Sequence, residues 1–452
     1  MREVIALEKT EKSKTGALSL FTLVTLAAGQ VIGAGVVSTT GVAIAKTGSS
    51  VWLAYGAAVL LGLLLVFPVA LFSSVVRFKG GNYAIVSSLL GEKWGGIYSL
   101  CYWLTLLSGS TICSALGSYI HAIFPMISIK LGGTALITVF YVLNLFGVKL
   151  MAGAQRIMTS ILVAALLLFS IVGFGHLSPN AFDFSHPDFI TNGTSGFLTA
   201  VVLFLGSCIG HSLVSAFSYN ALKPKRDIPL AMFIASGIIL VLYMAVSFVA
   251  GNVLPVSEVA GKPLTLVAKS ILPGILYPLF IIAGPMLALC TTANSGYPSM
   301  TAPVHAGIRD GWMPKALAKT NKHDMPWILY TIKYILNVGP VLIGFNLQQL
   351  LGNLVMITNA LKILVILAVF MMPKKFGEHW KKSWLYMPNW AFYPLMTICL
   401  VAQLAVIYLS SKTVPLSLII MNIVVGILLV GYALYRYYTK KTSVNPIYSF
   451  ED

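Results

Sequence analysis

Acidic residues are scarce in this sequence: it has 13 Asp and Glu among 452 residues, against 30 Lys and Arg. All of the acids fall outside the long apolar runs, so the sequence offers no intramembrane carboxylate to relay protons or pair with a cationic substrate side chain. It also lacks a carboxylate pair placed for acid–base work, an HExxH and a Gly-x-Ser-x-Gly, which argues against an enzyme. Cysteine is sparse as well. Cys101, Cys113, Cys208, Cys290 and Cys399 contain no CxxC pair, which argues against a disulfide framework or a metal cluster. The N-terminal stretch carries charges up to Lys14, so no cleaved leader is expected. No connector is long enough to fold as a soluble domain.

What is present is apolar. With 58% hydrophobic and 10% charged residues and a mean hydropathy of +0.87, the chain cannot cover a soluble globule of its size with polar surface and reads as an integral membrane protein. The net charge of +17 comes from residues scattered through short connectors, which suits membrane orientation better than nucleic-acid binding.

About 20 apolar residues cross the hydrocarbon. Twelve such runs are read, at 17–45, 50–76, 95–124, 131–148, 155–175, 194–221, 229–252, 274–302, 326–345, 347–372, 388–410 and 414–436. A cytoplasmic N-terminus puts 23 basic residues inside and leaves only Lys46, Lys130, Lys262, Lys269 and Lys412 outside, so both termini are expected in the cytoplasm. Lys333 and Lys362 lie within spans, read as snorkelling or bound to backbone carbonyls. His211 lies mid-span, whereas His121 and His305 lie near span ends.

Two spans carry glycine where a helix is weakened by it at roughly 1 kcal/mol each. Span 1 contains LAAGQVIGAGVVSTTG (26–41), with Gly29, Gly33 and Gly35; span 6 contains FLGSCIGHS (204–212), with Gly206 and Gly210. Spans 1 and 6 each open a five-span half, and matched interruptions in two halves point to a transporter's central site. An unwound turn at the midplane frees backbone groups that need a polar partner. Half-helix N-termini favour a carboxylate and freed carbonyls an ammonium, both of which a free amino acid carries. Close packing of the GxxxG kind would explain span 1 alone but not the matching break.

GQVIGAG (29–35) resembles the GxxIGxG signature of the amino acid–polyamine–organocation (APC) superfamily. FKGGNYAIVSSLLGEKWG (78–95), NLFGVKLMAGAQ (144–155), LKPKRDIP (222–229), TTANS (291–295) and IRDGWMPKALAKTNKHDMP (308–326) are similar to further segments of that superfamily, in the same order. The resemblance implies an all-α membrane protein with 12 transmembrane helices: a LeuT-like 5+5 inverted repeat with unwound helices 1 and 6, plus two extra helices. The expected division is a cytoplasmic segment 1–16, a first repeat 17–175, a second repeat 176–372 with an extracellular loop 176–193, helices 11 and 12 over 373–436, and a cytoplasmic tail 437–452.

Carried over by position, the N–H groups around Ala34, Gly35 and Val36 would take a substrate carboxylate. The carbonyls near Gln30, Val31 and Ile32, with those near Gly206, Ser207 and Ile209, would take its amine; Gly33, Cys208 and Gly210 complete the two turns. Several positions depart from the superfamily pattern. An aromatic gate is replaced by Gly206, the acidic pair and asparagine after span 6 by Tyr219, Asn220 and Lys223, and a lysine of span 5 by Leu162. Three couplings stay open: Na⁺ at Thr291 and Thr292 with span 1 carbonyls, a proton on His211, or exchange without an ion. The expected function is secondary active transport of neutral L-amino acids across the plasma membrane, by symport or exchange. Transport of cationic amino acids or other amines by exchange is the alternative, with a channel or receptor of the same fold behind it. No cofactor beyond a coupling Na⁺ or H⁺ and no nucleic acid is expected; the partners are the amino acid and the lipid bilayer, and the sequence does not fix the oligomeric state.

Overall fold

The computed structural model describes residues 18–33, 35–344, 347–412, 415–439 and 442–451. Each of the twelve apolar runs falls on helix. The first is broken into α1 (Leu20–Val31), α2 (Gly35–Ser38) and α3 (Thr40–Thr47), followed by α4 (Val51–Ser73). Strand β1 (Arg77–Phe78) and α5 (Asn82–Leu90) form the next connector, and α6 (Glu92–Tyr102) continues through a 3₁₀ turn, 103–108, into α7 (Gly109–Ile123). Then come α8 (Ile129–Leu145), α9 (Val148–Phe174), α10 (Gly193–Leu205), a 3₁₀ helix over Gly210–Asn220, and α11 (Pro224–Asn252). Two short helices, α12 (Val256–Val259) and α13 (Thr265–Ile271), lead to α14 (Leu276–Ile281), which runs through a π segment, Ile282–Met286, into α15 (Leu287–Arg309). The last elements are α16 (Trp327–Ile343), α17 (Leu347–Phe370), α18 (Met372–Lys381), α19 (Asn389–Ser411), α20 (Leu416–Tyr438) and strand β2 (Tyr448–Ser449).

Nine helices among the described residues are long and apolar enough to cross a membrane, or ten if the pair bent by 58° at the α17–α18 junction is one span. α8 and α16 are apolar but only 17 residues each, about 25 Å of rise, slightly short of the hydrocarbon thickness. The protein is therefore a multi-pass helical membrane protein.

The helices sort into two packed groups. α11 packs on both α1 and α4, and α10 on α4, while α7, α8 and α16 pack together and against α15. The second group has its own apolar cluster, with Cys113, Leu116, Ile137, Phe140, Leu289, Tyr297 and Tyr330. The break of α1 lies where the groups meet, because α1 also packs on α9 and α15.

All thirteen acids were expected outside the spans, and among the described residues two prove to be buried at helix ends. α11 begins earlier than the apolar run suggested, so Asp227 lies in its first turn and accepts from the Lys223 N–H at 3.3 Å. Asp310, at the end of α15, accepts from Tyr83 Oη at 2.7 Å and pairs with Arg309 at 3.3 Å. Its desolvation raises the Asp310 pKa above the ordinary aspartate value, with Tyr83 and Arg309 opposing that shift.

A candidate substrate site at two broken helices

Ser19 caps α1, its hydroxyl accepting from the Thr22 N–H, and the helix runs to Val31 before its hydrogen-bond pattern fails. The Gly33 N–H turns back to the Val31 carbonyl at 2.7 Å, and helix resumes at Gly35. Ala34 lies outside the described residues. In the sixth run, α10 ends at Leu205. Ser207 and Cys208 then bond to the carbonyls of Phe204 and Leu205 at 2.8 and 3.0 Å, a tightening that carries the chain through Ile209 into the 3₁₀ helix.

The two breaks touch, and glycine is what lets them. A Cβ on Gly35 would lie 1.9 Å from Ser207 Oγ, and a Cβ on Gly210 would lie 2.5 Å from the Gln30 carbonyl oxygen. One contact thus joins Gly35 and Ser207, and another joins Gln30 and Gly210. Gly29 serves a different purpose: a Cβ there would meet Gln155 Nε2 at 2.3 Å and Thr159 Oγ1 at 2.7 Å, so it lets α9 and α15 close on α1. Gly33 is less confined, with Thr292 Oγ1 at 3.3 Å, and a Cβ on Gly206 would meet no described residue closer than the Leu203 carbonyl at 4.0 Å. Val36 and Cys208 are buried beside the breaks, and Ile209 is half-buried.

Several groups expected to face a ligand have partners within the protein. The Val31 carbonyl accepts from Tyr243 Oη of α11 at 3.1 Å as well as from Gly33. The Gln30 side chain donates to Ser295 Oγ at 2.6 Å and Ser299 Oγ at 3.1 Å, tying α1 to α15. Thr291 donates back to the Ala288 carbonyl at 2.8 Å. Thr292 does the same at 3.1 Å and also reaches the Gly29 carbonyl at 3.4 Å. For a hard cation this leaves two converging oxygens, Thr292 Oγ1 and the Gly29 carbonyl, with Thr291 turned away.

His211 stands apart. Its ring is buried at the start of the 3₁₀ helix with the Cys208 backbone beside it, and among the described residues neither nitrogen has a partner in hydrogen-bond geometry. Leaving such groups unpaired costs about 1–3 kcal/mol, so the position calls for an explanation beyond packing. His121 and His305 do bond to backbone carbonyls, those of Ile127 at 2.9 Å and Ala318 at 3.0 Å.

The two lysines within spans differ. Lys362 donates to Asn359 Oδ1 at 3.0 Å. Lys333, on α16, is buried against Met300 Sδ at 3.5 Å with its ammonium 5.7 Å from the Tyr297 ring centre, and no ion pair to it occurs among the described residues. The cavity beside it is about 10 Å³, room for about one water and for no substrate.

Sequence reasoning missed the polar lattice behind the breaks. Asn294 donates to the Met151 carbonyl at 3.1 Å and to Gln155 Oε1 at 2.8 Å, Asn144 donates to the Asn294 carbonyl at 3.1 Å, and Thr159 donates to the Thr25 carbonyl at 3.1 Å. At Gly29 the side chains of α9 that reach α1 are Gln155 and Thr159, one to two turns before Leu162. Amides inside apolar runs were the available signal. Also missed was a cavity of about 420 Å³ between the 3₁₀ helix (Ala216, Tyr219, Asn220) and α15 (Thr301, His305, Arg309).

Two helices broken at glycines, with the breaks in contact, in a multi-pass bundle make an amino acid permease the natural comparison, and the family profile described as amino acid permease matches residues 18–430. The chain belongs to the amino acid permease family, within the APC superfamily. It is 25% identical to the D-serine/D-alanine/glycine transporter of Escherichia coli strain K12 over 385 residues, 80% of this chain and 81% of that protein. It is likewise 25% identical to an aromatic amino acid permease of Lactococcus lactis, covering 93% and 95% of the two chains, and to the methylthioribose transporter of Bacillus subtilis, covering 83% and 85%.

Proposed function

We propose that this amino acid permease is a secondary active transporter of neutral L-amino acids across the plasma membrane, working by alternating access through a twelve-span, LeuT-like 5+5 arrangement with both termini in the cytoplasm. The observation that carries this reading is the meeting of the two helix breaks, Gly35 against Ser207 and Gly210 against Gln30, in a bundle of the amino acid permease family. Backbone reads the two groups that every amino acid shares: N–H groups around Gly35 and Val36 take the carboxylate, and carbonyls left over at the turns, such as those of Ile32 and Gly206, take the amine. The absence of carboxylates from the long apolar runs disfavours cationic side chains. Open space at Gly206 leaves room for the side chain.

The relatives named above differ in substrate, so the side chain is decided by uptake of an amino-acid panel into proteoliposomes. A neutral amino acid is expected to dominate, and preferential uptake of arginine, lysine or a polyamine would replace this reading with the cationic one. Repeating the assay across Na⁺ and pH gradients, with and without internal amino acid, separates the couplings. Na⁺ would draw on Thr292 and the Gly29 carbonyl, a proton on His211, and exchange would need internal substrate but no gradient.

A further inference from the structure

The chain beyond the last helix folds back across the end of the molecule where the 420 Å³ cavity lies. β2 pairs antiparallel with β1, Arg77 opposite Ser449 and Phe78 opposite Tyr448, and the Lys79 N–H donates to the Ile447 carbonyl at 3.0 Å. Upstream of this ladder, the Ser443 N–H donates to the Asp310 carbonyl at 2.9 Å and the Arg309 guanidinium donates to the Asn445 carbonyl at 3.4 Å. Downstream, the Lys225 ammonium at the start of α11 donates to the Phe450 carbonyl at 2.9 Å. The Phe450 ring stacks on His379 with centres 3.7 Å apart and meets Phe376 edge-on at 5.2 Å, both on α18. One short segment therefore touches four parts of the chain that are remote in sequence: β1, the start of α11, the end of α15, and α18.

Two of its partners, Lys79 and Arg309, also line the cavity. Directly after Lys79 the chain turns through Gly80 and Gly81, whose φ angles of +104° and +56° favour glycine. A Cβ on Gly80 would come within 2.7 Å of the Ala306 side chain, and one on Gly81 within 3.4 Å of Pro303 on α15 and 3.8 Å of Ala216. Ala306 belongs to the α15 wall of the cavity and Ala216 to the 3₁₀-helix wall. The loop is thus a wedge between the two walls, and the tail is paired to its base.

We propose that residues 443–451 form a strap that holds this wedge in place and favours the arrangement in which the cavity is open. A contact made in one conformation and lost in the other shifts the population toward the first. α15 and the 3₁₀ helix pack directly elsewhere, so it is at the cavity that their further approach would move the wedge, and moving the wedge would break or slide the β1–β2 ladder. A two-stranded ladder this short is marginal by itself, so it can part within a transport cycle. The inference rests on reading the cavity as part of the transport path.

The test uses purified protein in lipid nanodiscs and a membrane-impermeant maleimide, with Ala302→Cys as reporter because position 302 lines the cavity and the five native cysteines are buried. Three chains are compared: full length, truncated after Thr442, and Ser449→Pro, which removes a donor from the paired strand. Labelling of the reporter is expected to slow about tenfold in both altered chains, equivalent to about 1.4 kcal/mol in the opening equilibrium. A synthetic peptide of sequence SVNPIYSFED, added to the truncated chain, is expected to restore the faster rate. Unchanged or faster labelling in both altered chains overturns the strap. If the native cysteines of the truncated chain become reactive, that chain has unfolded and Ser449→Pro decides. Uptake is measured on the same preparations: loss of all amino-acid uptake by the full-length chain refutes the transport reading, while the labelling rates still judge the strap.

Discussion

Glycine at 35 and glycine at 206 look alike in the sequence and face opposite situations. Adding one methyl at 35 drives it into Ser207 at 1.9 Å, whereas at 206 it meets nothing closer than 4.0 Å among the described residues. Gly35→Ala is therefore expected to abolish uptake in proteoliposomes with expression largely kept, and Gly206→Ala to transport nearly as the parent does. Equal activity of the two variants would mean that contact between the breaks is not needed. His211 allows a second contrast. Two unpaired buried nitrogens are a liability in the fold, so His211→Phe, of similar volume and without polar atoms, should match or exceed the parent in thermal stability. Its uptake, however, should be lost if the ring serves the transport cycle. A variant that transports normally would reduce His211 to a packing residue.

At the scale of elements, α1 is held in place by polar contacts rather than by apolar packing alone. Gln30 bonds to two serines of α15, Thr159 reaches the Thr25 carbonyl, and Tyr243 engages Val31 next to the break. Hydrogen bonds between membrane helices average about 0.6 kcal/mol each, so Gln30→Ala, which removes two, should cost roughly 1 kcal/mol of stability. The expected functional effect is larger than that, because α1 would no longer be registered against α15. The measurement pairs a thermal melt with uptake, and a variant with the melt unchanged and full uptake would show that this tie is dispensable.

The helices and their interruptions were legible because hydrophobicity and glycine act locally. The runs, the break after Val31 and the break after Leu205 are all visible in composition. What was not legible depends on rotation of one helix against another. Nothing local says that Gln155 and Thr159 rather than Leu162 reach Gly29, that Thr291 turns back on its own helix while Thr292 reaches across, or that Tyr448 and Ser449 pair with a strand more than 350 residues earlier.

At the scale of the whole molecule, charge and fold can be checked against each other. The strap brings Lys79, Lys225 and Arg309 to one end, together with Trp384, whose Nε1 donates to the Lys225 carbonyl at 2.9 Å. Elsewhere, the Gly261 N–H donates to the Gly41 carbonyl, while Asn192 donates to the Lys46 carbonyl and the Ser49 N–H to that of Asp188, gathering α3, which carries Lys46, and the loops that carry Asp188 and Lys262. Basic residues that the sequence assigns to the cytoplasm are thus neighbours in the fold, as are two of the few it assigns outside. An excess of Lys and Arg in short loops marks the cytoplasmic side. Single cysteines at Lys322 and Lys262 should accordingly label from opposite faces in intact cells, Lys262→Cys directly with an impermeant reagent and Lys322→Cys only after permeabilisation. The reverse pattern would invert the molecule and place the strap and its cavity at the outer face. Labelling of both from outside would break the proposed even-span topology itself, because the two positions are separated by α14 and α15, which are read as a single crossing.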